Sequence, residues 1–303
     1  MRICRSAVSR SIATSSTTPR LTEVVRTRAA LRDALAGVAR PVGLVPTMGW
    51  LHDGHRALMR QARAADATTV VTIFVNPRQF TVADDFTRYP RNEGRDLAIC
   101  ESEGVDLVFA PEPSEIYPPG FDTVVSVGAV AQPLEGAARP GHFDGVATVV
   151  AILFDLVGAD HAYFGQKDAQ QVMVIRQMAR DLAIATQVIA CPTVREDDGL
   201  ALSSRNVHLS PAERAAAPVL HRALLAARSC WRSGERSGEA LRGVMRNELA
   251  REPLARPEYV SVADGATLAE LDQVDGPALL SLAVRFGSTR LIDNEPLEPD
   301  PAP

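Results

Sequence analysis

The chain has 303 residues, 46% of them hydrophobic and 23% charged, with a formal net charge of −5 and a pI near 5.7. This is enough apolar material for one large α/β unit or two modest domains, and the acidic balance argues against nucleic acid as a partner. No run supplies the roughly 18 uninterrupted apolar residues of a membrane-crossing helix, so no membrane partner is expected. The cysteines Cys4, Cys100, Cys191 and Cys230 stand singly, without disulfide or zinc-site spacing, which predicts a reducing, cytoplasmic setting.

Residues 1–22 begin MRICRSAVSRSIATSSTTPR, with arginine and serine but no acid in that stretch and no secretory apolar core. A disordered tail is the first reading; an organelle transit peptide is the other. From about residue 42 short runs rich in β-branched residues alternate with longer runs of helical period. VGLVPTM, TTVVTIFVNP, VDLVFAP, AYFG and TQVIACPTV read as strands buried on both faces. HRALMRQARAAD, NEGRDLAICESEG, FDGVATVVAILFDLVG and DAQQVMVIRQMARD read as helices between them. GVATVVAILFDLVG is too short to cross a membrane and contains Asp155, so it is expected as a core helix. The pattern predicts an α/β fold over 23–193, a doubly wound parallel sheet of Rossmann type. Over 194–303 the texture changes to arginine-rich helices, SPAERAAAPVLHRALLAARSCWRSG and SGEALRGVMRNELAR, then strands in PEYVSVAD and ALLSLAVRFGSTRLIDN, predicting a smaller C-terminal α+β lid domain with a loose Pro-rich ending.

PTMGWLHDGHRALMR, residues 46–60, holds two of the six histidines three positions apart. A strand is expected to end near Thr47 and Met48, Gly49 to turn, and a helix to begin close to Gly54. His52 and His55 then share one side of the first helical turn, where free N–H groups and the positive dipole end attract an anion. Phosphate binding is the favoured reading; a metal pair and a structural pair are the others, weakened by the absence of a third ligand and by the poor core quality of a glycine turn with two polar rings. Of the 32 basic residues 31 are arginine and one is Lys167. A lone lysine amid that bias points to a place that needs a compact ammonium, chance survival being the alternative.

The histidine stretch is similar to the HxGH motif of the nucleotidyltransferase superfamily, and its wider wording, Pro-Thr-Met-Gly-x-Leu-His-x-Gly-His, resembles the pantothenate synthetase (pantoate:β-alanine ligase) family. Further motifs match in order: IFVNPRQF (73–80), YPR (89–91), EGAARPGHFDGVATVV (135–150), YFGQKDAQQ (163–171), PTVREDDGLALSSRN (192–206) and STRLIDN (288–294). The resemblance implies an ATP-dependent condensation of pantoate with β-alanine through a pantoyl adenylate, with Mg²⁺ accompanying ATP and no organic prosthetic group. It also implies a homodimer, and no protein ligand for Mg²⁺ is named by the sequence.

By the same resemblance, His52, His55, Lys167, Ser203, Ser204 and Arg205 are the expected catalytic residues, with His55 the candidate acid and the Ser-Ser-Arg loop closing over the pyrophosphate. ATP is expected along Met48, Gly49, Trp50, Leu51, His52, Asp53, Gly54 and His55, along Gly165, Gln166, Lys167 and Asp168, and at Val194, Leu202, Ser203, Ser204 and Arg205. Gln79, Gln171 and Asn76 are expected to hold pantoate and β-alanine; Arg139 and His142 are expected to shape the pocket or a subunit contact. Trp50 stands where a small alanine is usual, Gln166 where Glu, Ala169 where Tyr, Leu202 where Met and Asp53 where Glu are common. These departures leave room for two other readings, a different HxGH adenylyltransferase or a catalytically silent nucleotide-binding homologue.

Overall fold

The computed structural model describes residues 22–80 and 83–298; apart from Thr22, the tail expected over 1–22 lies outside the described residues, as does the end of the Pro-rich segment. The strands are β1 Glu23–Val25, β2 Val42–Thr47, β3 Thr68–Ile73, β4 Leu107–Phe109, β5 His161–Gly165, β6 Gln187–Cys191, β7 Arg256–Asp264, β8 Ala278–Phe286 and β9 Thr289–Leu297. The helices are α1 Arg28–Leu35, α2 Asp53–Ala65, α3 Ala83–Arg88, α4 Glu93–Ser102, α5 Pro113–Ile116, α6 Glu135–Ala138, α7 His142–Val157, α8 Ala169–Asp181, α9 Pro211–Ala216, α10 Val219–Arg232 and α11 Gly238–Leu249.

Strands β1 to β6 form one parallel sheet in the order β1-β4-β3-β2-β5-β6. From β2 the chain steps outward to β3 and β4, then returns and continues through β5 and β6 on the other side. Chain direction therefore reverses beside β2, and the crevice at the carboxyl ends there is where such sheets bind ligands. The edge strand β1 escapes sequence reading because three residues are too few to show a period. β2 and β3 are buried almost throughout, which is why they read as continuous apolar runs instead of alternating ones.

The run read as a core helix is α7, buried nearly all round. Its Gly145 lets it lie directly against the turn after β3, since a Cβ there would strike the Arg78 carbonyl.

The second sheet is antiparallel, β7-β8-β9, with a hairpin between β8 and β9 at Gly287. Leu220, Leu224 and Trp231 of α10 and Leu241 and Met245 of α11 pack on Leu280, Leu282 and Phe286. Truncating one of these large side chains to alanine would cost ~2–5 kcal/mol. The segment SPAERAAAPVLHRALLAARSCWRSG, expected as one helix, is two: Pro218 has no N–H to continue the ladder, so α9 ends at Ala216 and α10 starts afresh at Val219. Ala263, Leu268 and Leu279 from this region join the core of the first sheet.

Candidate active site

β2 ends at Thr47, whose hydroxyl donates to the Thr72 carbonyl (2.7 Å) and accepts from Gly49 N–H (3.2 Å). Gly49 has φ +78°, and a Cβ there would come within 2.9 Å of the Asp96 carboxylate. Asp96, buried on α4, accepts from the N–H groups of Trp50 (2.7 Å) and Leu51 (2.8 Å). These two charge-assisted bonds hold Trp50 at φ +52°, a left-handed conformation that costs a non-glycine residue about 1–2 kcal/mol. The Trp50 ring lies against the Arg95 guanidinium, 5.1 Å away, and not in the cavity.

His52 is the N-cap of α2. Its Nδ1 accepts from Gly54 N–H (3.2 Å), and Nδ1 of His55 accepts from the His52 N–H (3.3 Å). With both Nδ1 lone pairs engaged, the neutral rings carry their protons on Nε2. Burial, reinforced by the Lys167 charge, lowers His52 to about 4. Burial, then His52 and Lys167, lowers His55 to about 3. The two rings, with centroids 4.1 Å apart, are thus uncharged N–H donors at neutral pH in the free protein. The candidate acid His55 is accordingly a hydrogen-bond donor there, without a proton in excess.

Lys167 stands on the single turn Gln166–Asp168 after β5, its Nζ 3.7 Å from the Asp168 carboxylate. Asn294 of β9 donates to the carbonyls of Gln166 (2.9 Å) and Lys167 (2.8 Å), so the second sheet steadies this turn. The flap 192–206 doubles back on itself, Leu202 N–H donating to the Val194 carbonyl (3.0 Å) and Arg195 bridging to Ala201. Arg195 pairs with buried Asp293 (2.6 Å), tying the flap to β9. Ser203 Oγ caps the turn by accepting from Arg205 N–H (3.2 Å), and Ser204 hydrogen-bonds Tyr89, whose hydroxyl burial pushes up.

Asn76 donates to Gln79 Oε1 (2.9 Å) and the Gly145 carbonyl (3.0 Å), and accepts from the Tyr117 hydroxyl (2.7 Å) and Arg78 N–H (3.2 Å). Its amide is therefore fully engaged, and it acts by orienting Gln79 instead of offering free donors of its own. His142 makes a 2.8 Å bond from Nδ1 to the Gln79 carbonyl, which assigns its proton to Nδ1 and leaves Nε2 to accept from Arg139 (3.2 Å). Burial, then the Arg139 charge, lowers His142 to about 4.

These groups converge. Met48, His52, Gly54, His55, Asn76, Gln79, Gly165, Lys167, Asp168, Gln171, Val194, Leu202, Ser203, Ser204 and Arg205 line one cavity of about 230 Å³, together with Arg139 and His142. Gly49, Trp50, Leu51, Asp53 and Gln166, expected along the nucleotide, are not among the lining residues. Leu51 is buried in the core, Asp53 points to solvent, and Gly49 and Trp50 face Asp96. Tyr89 and Asp96 carry roles that sequence reading did not assign. Tyr89 lies in the quoted YPR motif, whereas nothing local marks Asp96 as a buried acceptor. Among the described residues no group of three His, Cys, Asp or Glu is arranged to hold a metal, and no helix is long and apolar enough to cross a membrane.

A parallel sheet with a cluster of N–H donors, one ammonium and two guanidiniums at its switch point defines a nucleotide-dependent α/β enzyme. The family model described as Pantoate-beta-alanine ligase matches residues 21–296. A pantothenate synthetase from Roseiflexus castenholzii is 58% identical over 275 residues, 91% of this chain and 99% of that protein. One from Chloroflexus aggregans is 60% identical over 274 residues, 90% and 98% of the two chains. Among solved structures, a pantothenate synthetase from Thermus thermophilus aligns with TM-score 0.88 at 48% identity, covering 92% of this chain and all of that one. A pantoate-beta-alanine ligase from Francisella tularensis, solved complexed with beta-gamma ATP and beta-alanine, aligns with TM-score 0.74 at 32% identity, covering 90% and 97%. The chain belongs to the pantoate-beta-alanine ligase family and is an enzyme of that family.

Proposed function

We propose that the enzyme joins pantoate to β-alanine at the expense of ATP through a pantoyl adenylate, using the cavity beside β2. The carrying observation is the convergence there of two uncharged Nε2–H donors, Lys167, Arg205 and two hydroxyls next to the amides of Gln79 and Gln171. In the first step a pantoate carboxylate oxygen attacks the α-phosphorus, and the bond to the bridging oxygen breaks with its electron pair leaving on pyrophosphate. Negative charge grows on the α-phosphate and on the leaving group, so positioned donors and cations lower the barrier without a covalent nucleophile. His52 and His55 donate from the helix mouth, Lys167 supplies point charge, and Ser203, Ser204 and Arg205 cover the pyrophosphate and exclude water from the adenylate. Gln79, set by Asn76, and Gln171 hold pantoate by donating and accepting without adding charge.

In the second step the free amine of β-alanine attacks the acyl carbon, and the C–O bond to the adenylate phosphate breaks with its pair on AMP. The starting ammonium loses one proton before attack and one from the new amide nitrogen, both to solvent. Asp168 is the one carboxylate lining the cavity among the described residues and would be the side chain on hand for Mg²⁺ brought with the nucleotide, which would supply charge neutralisation at the phosphates. A homodimer in the cytoplasm completes the proposal; sedimentation of the purified chain tests the dimer.

The decisive assay is pyrophosphate–ATP exchange that requires pantoate, followed by amide formation that requires β-alanine. Exchange without pantoate, or with a phosphorylated acceptor in its place, would redirect the reading to another adenylyltransferase. Replacing His52 or His55 by alanine is expected to slow exchange about 10²–10³-fold, the usual cost of one lost charge-stabilising donor.

A further inference from the structure

The segment that carries Ser203, Ser204 and Arg205 is closed into a ring by an arginine that is not among the residues lining the cavity. Residues 194–202 form a narrow hairpin, with Leu202 N–H donating to the Val194 carbonyl (3.0 Å), Glu196 N–H to the Leu200 carbonyl (2.9 Å) and, at the tip, Gly199 N–H to the Glu196 carbonyl (2.8 Å). The chain then runs through Ser203, Ser204 and Arg205 to Ser210, which starts α9 in a reciprocal capping box with Glu213. Arg214, within the first turn of that helix, reaches back to the hairpin: Nη2 donates to Glu196 Oε2 (2.6 Å) and Nη1 to Asp198 Oδ2 (2.6 Å).

Both ends of the stretch 196–214 are thereby pinned, with the hydroxyls and guanidinium assigned to pyrophosphate between them. The tip is seated as well. Asp198 Oδ1 accepts from Leu200 N–H (3.2 Å), and Arg195 donates to the Gly199 carbonyl (3.1 Å) while paired with Asp293. Gly199, at φ +93°, lies so close to α10 that a Cβ there would fall 2.4 Å from His221 Nδ1.

One guanidinium spanning two carboxylates fixes the direction of the hairpin as well as its distance, which a point charge would not do. The side chains of Arg214, Glu196 and Asp198 are 30%, 36% and 44% exposed, so the clamp adds little to global stability and its effect is local. A connection of this length released at one end samples many positions, and ordering it over a ligand costs entropy that a pinned loop has already lost.

We propose that Arg214 is a positioning residue for the pyrophosphate flap: by holding Glu196 and Asp198 together it sets Ser203, Ser204 and Arg205 at the phosphate end of the cavity before ATP arrives. The inference rests on the ligase reading above and adds to it a residue that touches no substrate.

The test separates the nucleotide from pantoate. In Arg214→Met, pantoate-dependent exchange should fall about 30-fold, the order of loss expected when a catalytic group is displaced from outside the site. The loss should lie in kcat and in KM for ATP and pyrophosphate. KM for pantoate should stay unchanged, because Gln79 and Gln171 lie outside the flap, and the thermal unfolding midpoint should move little. Glu196→Gln combined with Asp198→Asn should reproduce the loss, and adding Arg214→Met to that pair should bring no further fall, since the same contact is removed from either side. Near-normal exchange in Arg214→Met, a rise in KM for pantoate equal to that for ATP, or additive losses would overturn the proposal. If Arg214→Met does not fold, the amide pair, which keeps the size of each side chain, decides alone: unchanged kcat and unchanged KM for ATP and pyrophosphate overturn the clamp. Absence of pantoate-dependent exchange in the unaltered enzyme would instead refute the ligase reading itself.

Discussion

The two walls of the candidate cavity are assembled by different means. The side-chain bonds that orient the histidine wall lie within residues 47–55, apart from the two from Asp96 and the Thr47 bond to β3. The facing wall depends on distant partners: Arg195 is held by Asp293, and the Lys167 turn by Asn294, both on β9. The donor wall is held by β2, β3, α2 and α4, whereas the cation and flap wall is tied to the second sheet. Loosening that sheet should therefore disturb the flap and leave the histidine donors in place.

The sharpest way to break this division is at its single ammonium. Lys167→Arg should lower exchange at least ~100-fold with the thermal unfolding midpoint little changed, because a planar fork cannot occupy the position of a compact point charge. Near-normal exchange would remove Lys167 from the mechanism. Next comes the donor wall's outside support: Asp96→Ala removes two charge-assisted bonds to the Trp50 and Leu51 amides, and is expected to cost about 1–3 kcal/mol in urea unfolding and to slow exchange about 30-fold.

The flap anchor should behave differently. Arg195→Met leaves Asp293 buried without its partner, and the expected signature is about a tenfold rise in AMP released from ATP and pantoate in the absence of β-alanine, as water reaches the adenylate. An unchanged rate of that leak would show that the flap needs no tie to β9.

Acid probes the histidines. Their folded pKa values, about 4 and about 3, lie below the ordinary 6.5. As pH falls below about 6.5 the unfolded chain takes up protons that the folded chain refuses, so stability drops until about pH 4 and is unaffected by these groups above pH 7. The slope per histidine is at most ~1.4 kcal/mol per pH unit, reduced by solvent screening, and His52→Gln should flatten the urea-derived profile in that window. Trp50→Ala should matter least, changing exchange less than about threefold, since the ring lies outside the cavity against Arg95.

Much of this was legible before any coordinates. Strands β2 to β6 of the parallel sheet and α2, α4, α7 and α8 follow from period and β-branched content, and the histidine turn from glycine placement and spacing. The break at Pro218 was equally visible in principle, yet the apolar period on both sides hid it. At the site the motifs pointed to the lining residues and also named Gly49, Trp50, Leu51, Asp53 and Gln166, which do not line the cavity, because a motif does not distinguish a residue on the cavity wall from one that supports its neighbour.

The amino-acid sequence by itself determined the family chemistry: two imidazoles at a helix start, one lysine, a Ser-Ser-Arg loop and paired amides, each defined by short-range spacing that the chain cannot lose on folding. Only the tertiary structure decided which ring nitrogen carries the proton, that Asn76 is spent on protein partners and that Asp96 holds the turn. Those facts depend on groups up to tens of positions apart, and on burial, which makes an engaged lone pair consequential and which no local pattern records.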